Sequence, residues 1–372
     1  MDLWYIANRA RGSLPNGFAG LNTVEIAERF GFACHAVRAD FTLTRPAESL
    51  MLRGFALDNH PDYPYRVELR GLPFKFEHDA ENLKTEISTP AGSLLTHIRQ
   101  SAGMTREGVS VPFVLSHPIR SLEDFEPVAQ VYEHIEVLPA PEQYAAFRRR
   151  LGEQGVAVAH GLNVASPMHL LLHDLIAMDN FFYLYMDVRE RLHELAERIA
   201  PFFDKVLEAV LDSDCDLFFW GGNYDQNTTY PDFFAREIRP WLRRAAQRAE
   251  KRGKRLLTHT DGENRLLLPF YPDSGFHVAE SVCPSPMTQL TLKEFRDGVG
   301  GRFAVWGGVP AVALLEDAMS EREFAAYLDR MFGELGDGRG LILGVSDNVP
   351  PEADLGRLEE IGRRIEAFGP VG

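Results

Sequence analysis

The clearest indication of the fold is an alternation of two kinds of segment, which begins near residue 150 and continues towards the end of the chain. Short apolar runs rich in β-branched and aromatic residues alternate there with longer amphipathic stretches. The apolar runs are 156–162, 215–220, 255–259, 276–280, 303–306 and 340–345. Strands that alternate with helices are typical of parallel strands joined by helical crossovers. The sequence therefore predicts an α/β fold built on a parallel sheet or barrel.

A polar or glycine-containing segment follows each apolar run. In chain order these segments read HGLN, GGNYD, TDGEN, SVCPS, GGVP and SDNVPP. In parallel α/β proteins the loops at the carboxyl ends of the strands carry the reactive side chains. We therefore expect the functional residues of this chain in these segments.

Three of the stretches between or after the runs carry clear helix signals. Segment 231–252 has a proline in its first turn and ends in basic residues before Gly253, and Pro240 inside it predicts a kink or break. Segment 321–335 follows Ser320, with Glu323 placed to complete a capping box. A last helix is predicted over 355–368.

The first 150 residues are less regular. Segment 65–88 alternates apolar and polar residues without a helical period, which predicts two or three antiparallel strands. We interpret these strands as an insertion packed on or over a barrel. The prediction is one domain over 1–372, with an irregular N-terminal part at 1–110 that holds the β insertion and a barrel body at 111–372.

Charge and composition exclude several classes of protein. The chain has 39 Lys plus Arg against 54 Asp plus Glu, a formal net charge of −15, which argues against a nucleic-acid partner. No apolar run approaches the roughly 18 residues that span a bilayer, and the N-terminus lacks a signal pattern. P-loop, G-x-G-x-x-G and G-x-S-x-G motifs are absent. We expect a cytoplasmic protein without a membrane partner.

Cysteine usage agrees with a reducing compartment. The chain has 3 cysteines, widely separated, so neither a disulfide framework nor a CxxC zinc motif can form. Cys34 and Cys215 are predicted core residues. Cys283 is compatible with a soft metal ligand, a nucleophile or a small buried apolar residue, and the sequence favours the last.

Four residues at predicted strand ends form a candidate metal site. His259 and Asp261 are two positions apart, and the period of a strand directs such residues to the same side. Glu280 and Asp347 follow later strands. An imidazole with carboxylate oxygens suits Zn, Mn or Fe, and we expect zinc.

The remaining strand-end residues are candidates for the reaction itself. Catalytic roles are predicted for three of them: His160, Tyr224 and Asp225. Substrate-binding roles are predicted for three amides: Asn163, Asn223 and Asn348.

Each of these residues alone also has a structural interpretation. Asp261 before Gly262 is an ordinary turn, Asp347 suits a cap or turn, and a lone buried histidine is usually a hydrogen-bonded core residue. His169 and His173, four positions apart on a predicted helix, could form a zinc-binding face, although the stretch is apolar and has no intervening Glu. The shared location at strand ends favours a common site over these separate roles.

The order of several segments resembles the uroporphyrinogen decarboxylase superfamily, which includes corrinoid-linked methyltransferases. The segments are TPAGSLL (89–95), HPIRSLEDFE (117–126), CDLFFWGGNYDQNTTYPDFFAREIRPWL (215–242), KRLLTHTDG (254–262), FAVWGGVPA (303–311) and LILGVSDNVPPEADLGRLEEI (341–361). The resemblance implies a (β/α)8 TIM-type barrel. It is closer to the methyltransferase branch, because the Arg-rich N-terminal motif and the late histidine loop of the decarboxylases are not matched.

The resemblance also implies a set of metal ligands. The zinc methyltransferases of this superfamily use a His-x-Cys pair, a later Glu in some members and a final Cys. His259 matches the His, Asp261 replaces the first Cys, Glu280 matches the Glu, and Asp347 replaces the last Cys. Carboxylates make the site harder than thiolates do, which suits an oxygen substrate better than activation of a thiol.

The resemblance implies metal-assisted transfer of a methyl group to a corrinoid. The methyl donor would be a small substrate, for example a methoxylated aromatic compound. The corrinoid would lie on a partner protein, because this chain has no D-x-H-x-x-G motif. Two alternatives stay open: a metal-free decarboxylase or other lyase, and a ligand-binding homologue that has lost catalysis. The sequence identifies neither the substrate nor whether the chain forms a homodimer.

Overall fold

The computed structural model describes residues 1–43, 45–109 and 111–369. Those residues form a mixed α/β fold with three sheets. The strands are β1 (Tyr65–Leu69), β2 (Phe74–His78), β3 (Asn82–Thr89), β4 (Gly92–Arg99), β5 (Phe113–Ser116), β6 (Ile135–Pro139), β7 (Val158–His160), β8 (Leu217–Phe219), β9 (Arg255–His259), β10 (Val278–Val282), β11 (Ala304–Pro310) and β12 (Leu341–Ser346).

Helices cover most of the chain between the strands. They are α1 (Asp2–Arg11), α2 (Thr23–Arg29), α3 (Ala102–Arg106), α4 (Phe125–Glu133), α5 (Pro141–Leu151), α6 (Pro167–Leu170), α7 (Met178–Asp187), α8 (Arg189–Asp212), α9 (Pro231–Phe233), α10 (Arg239–Glu250), α11 (Leu292–Val299), α12 (Glu321–Glu334) and α13 (Leu355–Phe368). Two π-helical segments, Leu171–Leu175 and Phe234–Ile238, follow α6 and α9.

The largest sheet is parallel and has the strand order β12-β11-β10-β9-β8-β7. All six apolar runs of the sequence form its strands, as predicted. Neighbours along the chain are neighbours in the sheet, so the carboxyl ends of all six strands lie along one edge. The ladders join six strands, and a complete eight-stranded barrel is not shown among the described residues.

The two faces of the parallel sheet carry different cores. One face contributes residues such as Ala159, Phe218 and Leu256 to the main hydrophobic core, which also includes the helices. The other face, which we call the inner face, carries a small separate cluster of Val158, Phe219, Leu257 and Trp306 that is completed by Val37. Full burial of each large apolar side chain stabilises the fold by about 1.5–3 kcal/mol.

The N-terminal antiparallel strands differ in part from the prediction. Strands β2 to β5 form an antiparallel sheet in chain order, which confirms antiparallel pairing near residues 74–88 and extends it to residue 116. Strand β1 pairs instead with β6, from Tyr65 opposite Pro139 to Leu69 opposite Ile135. The reason is burial: Tyr65 and Val67 belong to the main core, so β1 is held against β6 and not in the exposed β2–β5 sheet.

The predicted helices are present with the expected signals. Ser320 and Glu323 form a capping box on α12, and the last helix covers Leu355–Phe368. Pro240 lies in the first turn of α10, directly after the π-helical segment Phe234–Ile238. The wider π turn accommodates the proline, which has no N–H to donate, so the chain stays helical through this region.

One segment of the irregular N-terminal part lies against the inner face. The Cys34 amide donates to the Gln154 carbonyl (2.6 Å), and the Val158 amide donates to the Ala36 carbonyl (3.2 Å). These bonds hold segment 34–38 beside β7, with Val37 buried in the inner cluster. They also bring His35 and Arg38 to the edge at which the strands end.

Along the described ranges, no helix is both long and apolar enough to cross a membrane. Cys34, Cys215 and Cys283 are all buried and unbridged. Burial raises the pKa of the Cys283 thiol to about 12, with further contributions from Asp261 and Asp347.

Candidate metal centre

The register of the sheet places the candidate residues side by side. His259 on β9 pairs with Glu280 on β10, and Glu280 pairs with Trp306 on β11. Paired residues on neighbouring strands direct their side chains to the same face. The spacing from Leu257 in the inner cluster places His259 on the inner face, two residues closer to the strand end.

A buried pair of His259 and Glu280 forms the base of the site. Glu280 Oε2 lies 2.6 Å from His259 Nδ1, and both side chains are only 4 % exposed. The second oxygen, Oε1, lies 2.9 Å from Nε2 of His35, which comes from the N-terminal segment. Both oxygens of this buried carboxylate therefore have an imidazole partner, as a buried charge requires.

The pair shifts the pKa values of its members in opposite directions. Burial disfavours the charge on His259, but the adjacent Glu280 carboxylate outweighs burial and raises the pKa of His259. Burial also disfavours the charge on Glu280, but the bonds and charges of His259 and His35 hold the pKa of Glu280 well below its usual range. The pair is therefore ionic when the site holds no cation.

The other nitrogen of His259 faces two aspartates. Nε2 lies 3.8 Å from Asp261 Oδ1 and 3.7 Å from Asp347 Oδ1. One ligand atom from each of the three residues lies within 4.8 Å of the others. Burial raises the pKa of Asp261; His259 opposes this rise, and the Asp347 and Glu280 carboxylates add to it.

Asp347 is oriented by its neighbours. The Ser281 hydroxyl donates to Oδ1 (3.2 Å), and the Asn348 amide donates to Oδ2 (2.9 Å). Ser281 has a φ of 59°, a left-handed conformation that non-glycine residues rarely adopt. Sparsely populated backbone conformations of this kind concentrate at functional sites.

The donor set fits a divalent cation. Two ligands at about 2.1 Å from a tetrahedral zinc ion are about 3.4 Å apart, so the separations at His259 Nε2 need to close by only a few tenths of an ångström. We call His259, Asp261 and Asp347 the triad. Glu280 is not part of it, because Glu280 bonds to Nδ1 of His259, the nitrogen on the side opposite the two aspartates. A carboxylate in that position fixes the tautomer of a metal-binding histidine and leaves its other nitrogen free to bind. Three of the four predicted ligands therefore converge, and the fourth supports one of them.

The predicted catalytic residues supply none of the three converging ligand atoms. His160, at the end of β7, stacks between Tyr63 (4.3 Å between ring centroids) and Phe219 (5.2 Å). Its Nδ1 is buried without a hydrogen-bond partner among the described residues. Burial lowers the pKa of His160 to about 3, with Arg38 lowering it further and Asp58 opposing, so the ring is neutral at pH 7.

Tyr224 and Asp225 take part in local packing. The Tyr224 hydroxyl is fully buried and bonds to Thr258 Oγ1 at 2.9 Å. Asp225 Oδ1 accepts the Asn227 amide (2.8 Å), and Oδ2 accepts the Glu263 amide (2.9 Å). The structure thus gives both residues bonds that stabilise the loops, and their catalytic roles stay predictions.

The predicted substrate-binding amides lie at the open edge of the site. Asn163 Oδ1 accepts from Arg38 Nη1 (3.3 Å), and Asn348 bonds to Asp347 as described. Asn223, with a φ of 58°, bonds through Nδ2 to His173 Nε2 (3.0 Å). Asn163, Asn223 and Asn348 are each partly exposed, which is compatible with the predicted contact to substrate.

The alternative zinc face of His169 and His173 is not assembled in the described residues. His169 Nδ1 accepts the Ala165 amide (3.3 Å), while His173 Nδ1 lies 3.1 Å from Asp174. The two rings are 5.8 Å apart and nearly perpendicular. Their nitrogens are directed to different partners.

Sequence reasoning missed His35 and Arg38. Both come from the segment ACHAVRAD (33–40), which has no helical or strand period. The available signal is two basic residues three positions apart within an apolar stretch, and that pattern alone does not indicate a partner 245 positions away.

The chain has a weak structural likeness to a known methyltransferase. No family model and no curated protein matches the sequence. Among solved structures, the chain is similar to a methyltransferase from Methanosarcina mazei, with 16 % sequence identity and a TM-score of 0.49 over 69 % of this chain and 73 % of that one.

Proposed function

We propose that this chain is a metal-dependent methyltransferase of barrel type. It removes the methyl group from an oxygen atom of a small methoxylated compound and transfers it to a corrinoid carried by a separate protein. The observation that carries the proposal is the convergence of His259 Nε2 with the carboxylates of Asp261 and Asp347. The sequence segments shared with the corrinoid-linked methyltransferases supply the reaction type.

The ligand set favours an oxygen substrate. His259, Asp261 and Asp347 would hold the divalent cation, for which we propose zinc. A cation bound by imidazole and carboxylates supplies Lewis acidity to an oxygen atom of the substrate. A softer thiolate set, which suits transfer to a thiol, is not available, because the buried Cys283 lies outside the triad.

Glu280 and His35 act by positioning His259. The Glu280 carboxylate accepts the Nδ1 proton of His259, so the lone pair for a ligand bond lies on Nε2. His35 bonds the other oxygen of Glu280 and keeps that carboxylate from rotating away. Because the pKa of His259 is raised, binding of a cation has to displace a proton from this ring, and affinity falls as the solution becomes more acidic.

The burial of the residues around the triad determines the side from which a substrate can approach. Phe219 and Trp306 are buried beside His259 and form an apolar floor on the inner face. Asp261 and Asp347 are 32 % and 44 % exposed, so the open side of the triad is the side of the aspartates. This floor suits the flat apolar part of a substrate, such as an aromatic ring.

The reaction is balanced without an external oxidant. The bond between the methyl carbon and the substrate oxygen breaks, the methyl group bonds to the corrinoid cobalt, and cobalt changes formally from Co(I) to Co(III). The substrate oxygen keeps the bonding electron pair and takes up a proton. The chain has to hold the methoxyl oxygen at the triad and leave the methyl group accessible to the corrinoid.

Elemental analysis tests the metal site first. We expect about one equivalent of zinc in the wild type after loading, and none in the double variant Asp261→Ala, Asp347→Ala. The matched control removes two exposed aspartates away from the site, in Asp187→Ala, Asp317→Ala, and should keep the metal. Equal metal content in the wild type and the site variant, including none in both, contradicts the proposal.

Turnover then tests the reaction. Loaded protein is mixed with 4-methoxybenzoate and free cob(I)alamin, and the absorbance of methylcobalamin is followed together with release of 4-hydroxybenzoate. We expect both products with the wild type and neither with the site variant. A loaded wild type that forms neither product from a panel of methoxylated aromatics contradicts methyl transfer while leaving the metal site intact.

A further inference from the structure

Arg38 is an exposed arginine at the edge where the strands end, and it forms no salt bridge with the described residues. Its guanidinium lies over the ring of Phe219, with Cζ 5.5 Å from the ring centroid, and Nη1 donates to the Asn163 amide oxygen. Among the described residues no carboxylate lies within 4.0 Å of it. Arg45 and Arg53, by contrast, both contact Asp58. Arg38 therefore keeps most of its five N–H donors for another partner.

His160 presents a second unused polar group close by. Its buried Nδ1 has no hydrogen-bond partner among the residues described, an arrangement that costs about 1–3 kcal/mol unless a ligand or water satisfies it. His160 lines a small cavity of about 10 Å³ together with Tyr63 and Asn163, the amide that Arg38 contacts. The cavity has room for about one water molecule, so it can hold water but not the substrate.

The ring of Phe219 connects these groups to the candidate metal centre. His160 stacks 5.2 Å from the ring centroid, Arg38 lies 5.5 Å from it, and the His259 imidazole lies 6.4 Å from it. One aromatic side chain thus separates the cationic group from the triad. A ligand about as long as one substituted ring can contact both.

We propose that Arg38 binds the carboxylate of the substrate. The inference rests on the proposed function and narrows it: the substrate is an O-methylated organic acid whose methoxyl oxygen lies at the triad and whose carboxylate lies against Arg38. A planar guanidinium matches the two oxygens of a carboxylate. Phe219 provides the apolar surface between the two ends.

Electrostatics give Arg38 a further role in recognition. Asp261, Asp347 and Glu280 are acidic, so an anionic substrate is repelled from this edge unless cationic groups offset them. Arg38 lies near enough to act on the charges of both Asp261 and His259. It therefore selects the anionic compound over its neutral analogue.

Calorimetric binding of benzoate tests the proposal without turnover. We expect benzoate to bind the zinc-loaded wild type at least tenfold more tightly than benzamide, its neutral analogue. Arg38→Gln should weaken benzoate binding at least tenfold and leave benzamide unchanged, with Arg38→Lys intermediate because it keeps charge without the planar fork. The matched control is Arg149→Gln, an exposed arginine on α5, which should bind benzoate like the wild type.

A second titration, with a variant that binds no metal, distinguishes benzoate binding at Arg38 from benzoate binding to the cation. Benzoate can also bind a cation directly, so the titration is repeated with the metal-free double variant Asp261→Ala, Asp347→Ala, alone and combined with Arg38→Gln. We expect the double variant to keep benzoate binding and the triple variant to lose it. Retained binding in a protein that never holds zinc would support the carboxylate site even if the proposed function fails.

Three results would overturn the proposal. They are equal affinity for benzoate and benzamide, wild-type benzoate affinity in Arg38→Gln, and loss of benzoate binding in the metal-free double variant. The first two exclude selection of an anion by Arg38. The third assigns benzoate to the metal instead.

Discussion

The strand ends of the parallel sheet form two halves with similar residues and different chemistry. The carboxylate half consists of His259 at the end of β9, Asp261 just after it, Glu280 on β10 and Asp347 just after β12. The aromatic half consists of His160, Tyr224 and Asp225, at the ends of β7 and β8. In the first half the ligand atoms of His259, Asp261 and Asp347 converge. In the second half Tyr224 bonds to Thr258 on β9, Asp225 accepts amides from the loops after β8 and β9, and His160 lies between two aromatic rings.

Two histidines illustrate how the halves differ. His259 and His160 are both buried at strand ends on the same sheet, yet the pKa of His259 is raised and that of His160 is lowered to about 3. Burial acts in the same direction on both. The opposite outcome comes from the Glu280 carboxylate beside His259, which His160 lacks. A residue type at a strand end therefore indicates a site only together with its partner.

The largest expected effect comes from breaking the buried pair with Glu280→Ala. Removal of one partner leaves His259 buried without its carboxylate, which costs about 3–5 kcal/mol of unfolding free energy. Zinc affinity should fall about tenfold to a hundredfold, because the hydrogen-bond partner of a metal-binding histidine contributes that much to metal affinity. Urea denaturation and calorimetric zinc titration measure the two effects. Unchanged zinc affinity in a folded variant would show that Glu280 does not position His259.

The second prediction concerns the pH dependence of stability in the aromatic half. The unfolded chain binds a proton at His160 below about pH 6.5, whereas the folded chain does not until about pH 3. The contribution of His160 to the unfolding free energy is therefore fully present above pH 6.5, and it is lost as the pH falls towards 3. His259, with its raised pKa, has the opposite sign: its contribution is complete below pH 6.5 and is lost as the pH rises through its folded value.

His160→Phe isolates the first of these contributions, because phenylalanine keeps the stack with Tyr63 and Phe219. Between pH 4 and 6 the variant should lose less stability on acidification, by about 1.4 kcal/mol per pH unit. Unfolding free energies from urea denaturation at several pH values measure the slope. Above pH 7 the slopes of the two proteins should coincide, which serves as the internal control. Parallel curves between pH 4 and 6 would contradict a neutral, buried His160.

The third prediction compares two aspartates that follow neighbouring strands. Asp225→Ala removes an acceptor from the amides of Asn227 and Glu263 and should cost about 1–2 kcal/mol of unfolding free energy. Its zinc affinity should fall much less than that of Asp261→Ala, since Asp225 supplies no ligand atom to the triad. Asp261→Ala should show the reverse pattern, with a large loss of zinc affinity. A loss of zinc binding in Asp225→Ala would join the two halves into one site.

The sequence predicts those parts of the molecule that depend on local pattern. Six apolar runs define the parallel strands, and Ser320 with Glu323 defines the start of α12, because period and capping are properties of neighbouring residues. His259 and Asp261 are recognisable from their spacing after a strand. The contribution of Asp347 follows from the parallel order, which brings the ends of β9 and β12 to one edge.

Other parts depend on contacts between distant residues. The pairing of β1 with β6, and the bond from His35 to Glu280, join segments that no local pattern connects. The turn before Tyr224 contains two positive φ values, 75° at Gly221 and 58° at Asn223, and it directs the Tyr224 side chain into the core. The Tyr224 hydroxyl occupies the space that a side chain at position 221 would need, so only glycine fits there. The direction of a side chain after such a turn does not follow from strand alternation.

The smallest effect is expected for Tyr224→Phe. The Thr258 hydroxyl donates to the Gly221 carbonyl (2.9 Å) and accepts from Tyr224, so removal of the phenol leaves Thr258 with one bond and no orphaned donor. The loss should be about 1 kcal/mol of unfolding free energy, with zinc affinity and methyl transfer unchanged. The Phe ring keeps the edge contact with Phe234. If Tyr224→Phe instead abolishes methyl transfer in a stable, zinc-loaded protein, the aromatic half takes part in the reaction and the division between the two halves is wrong.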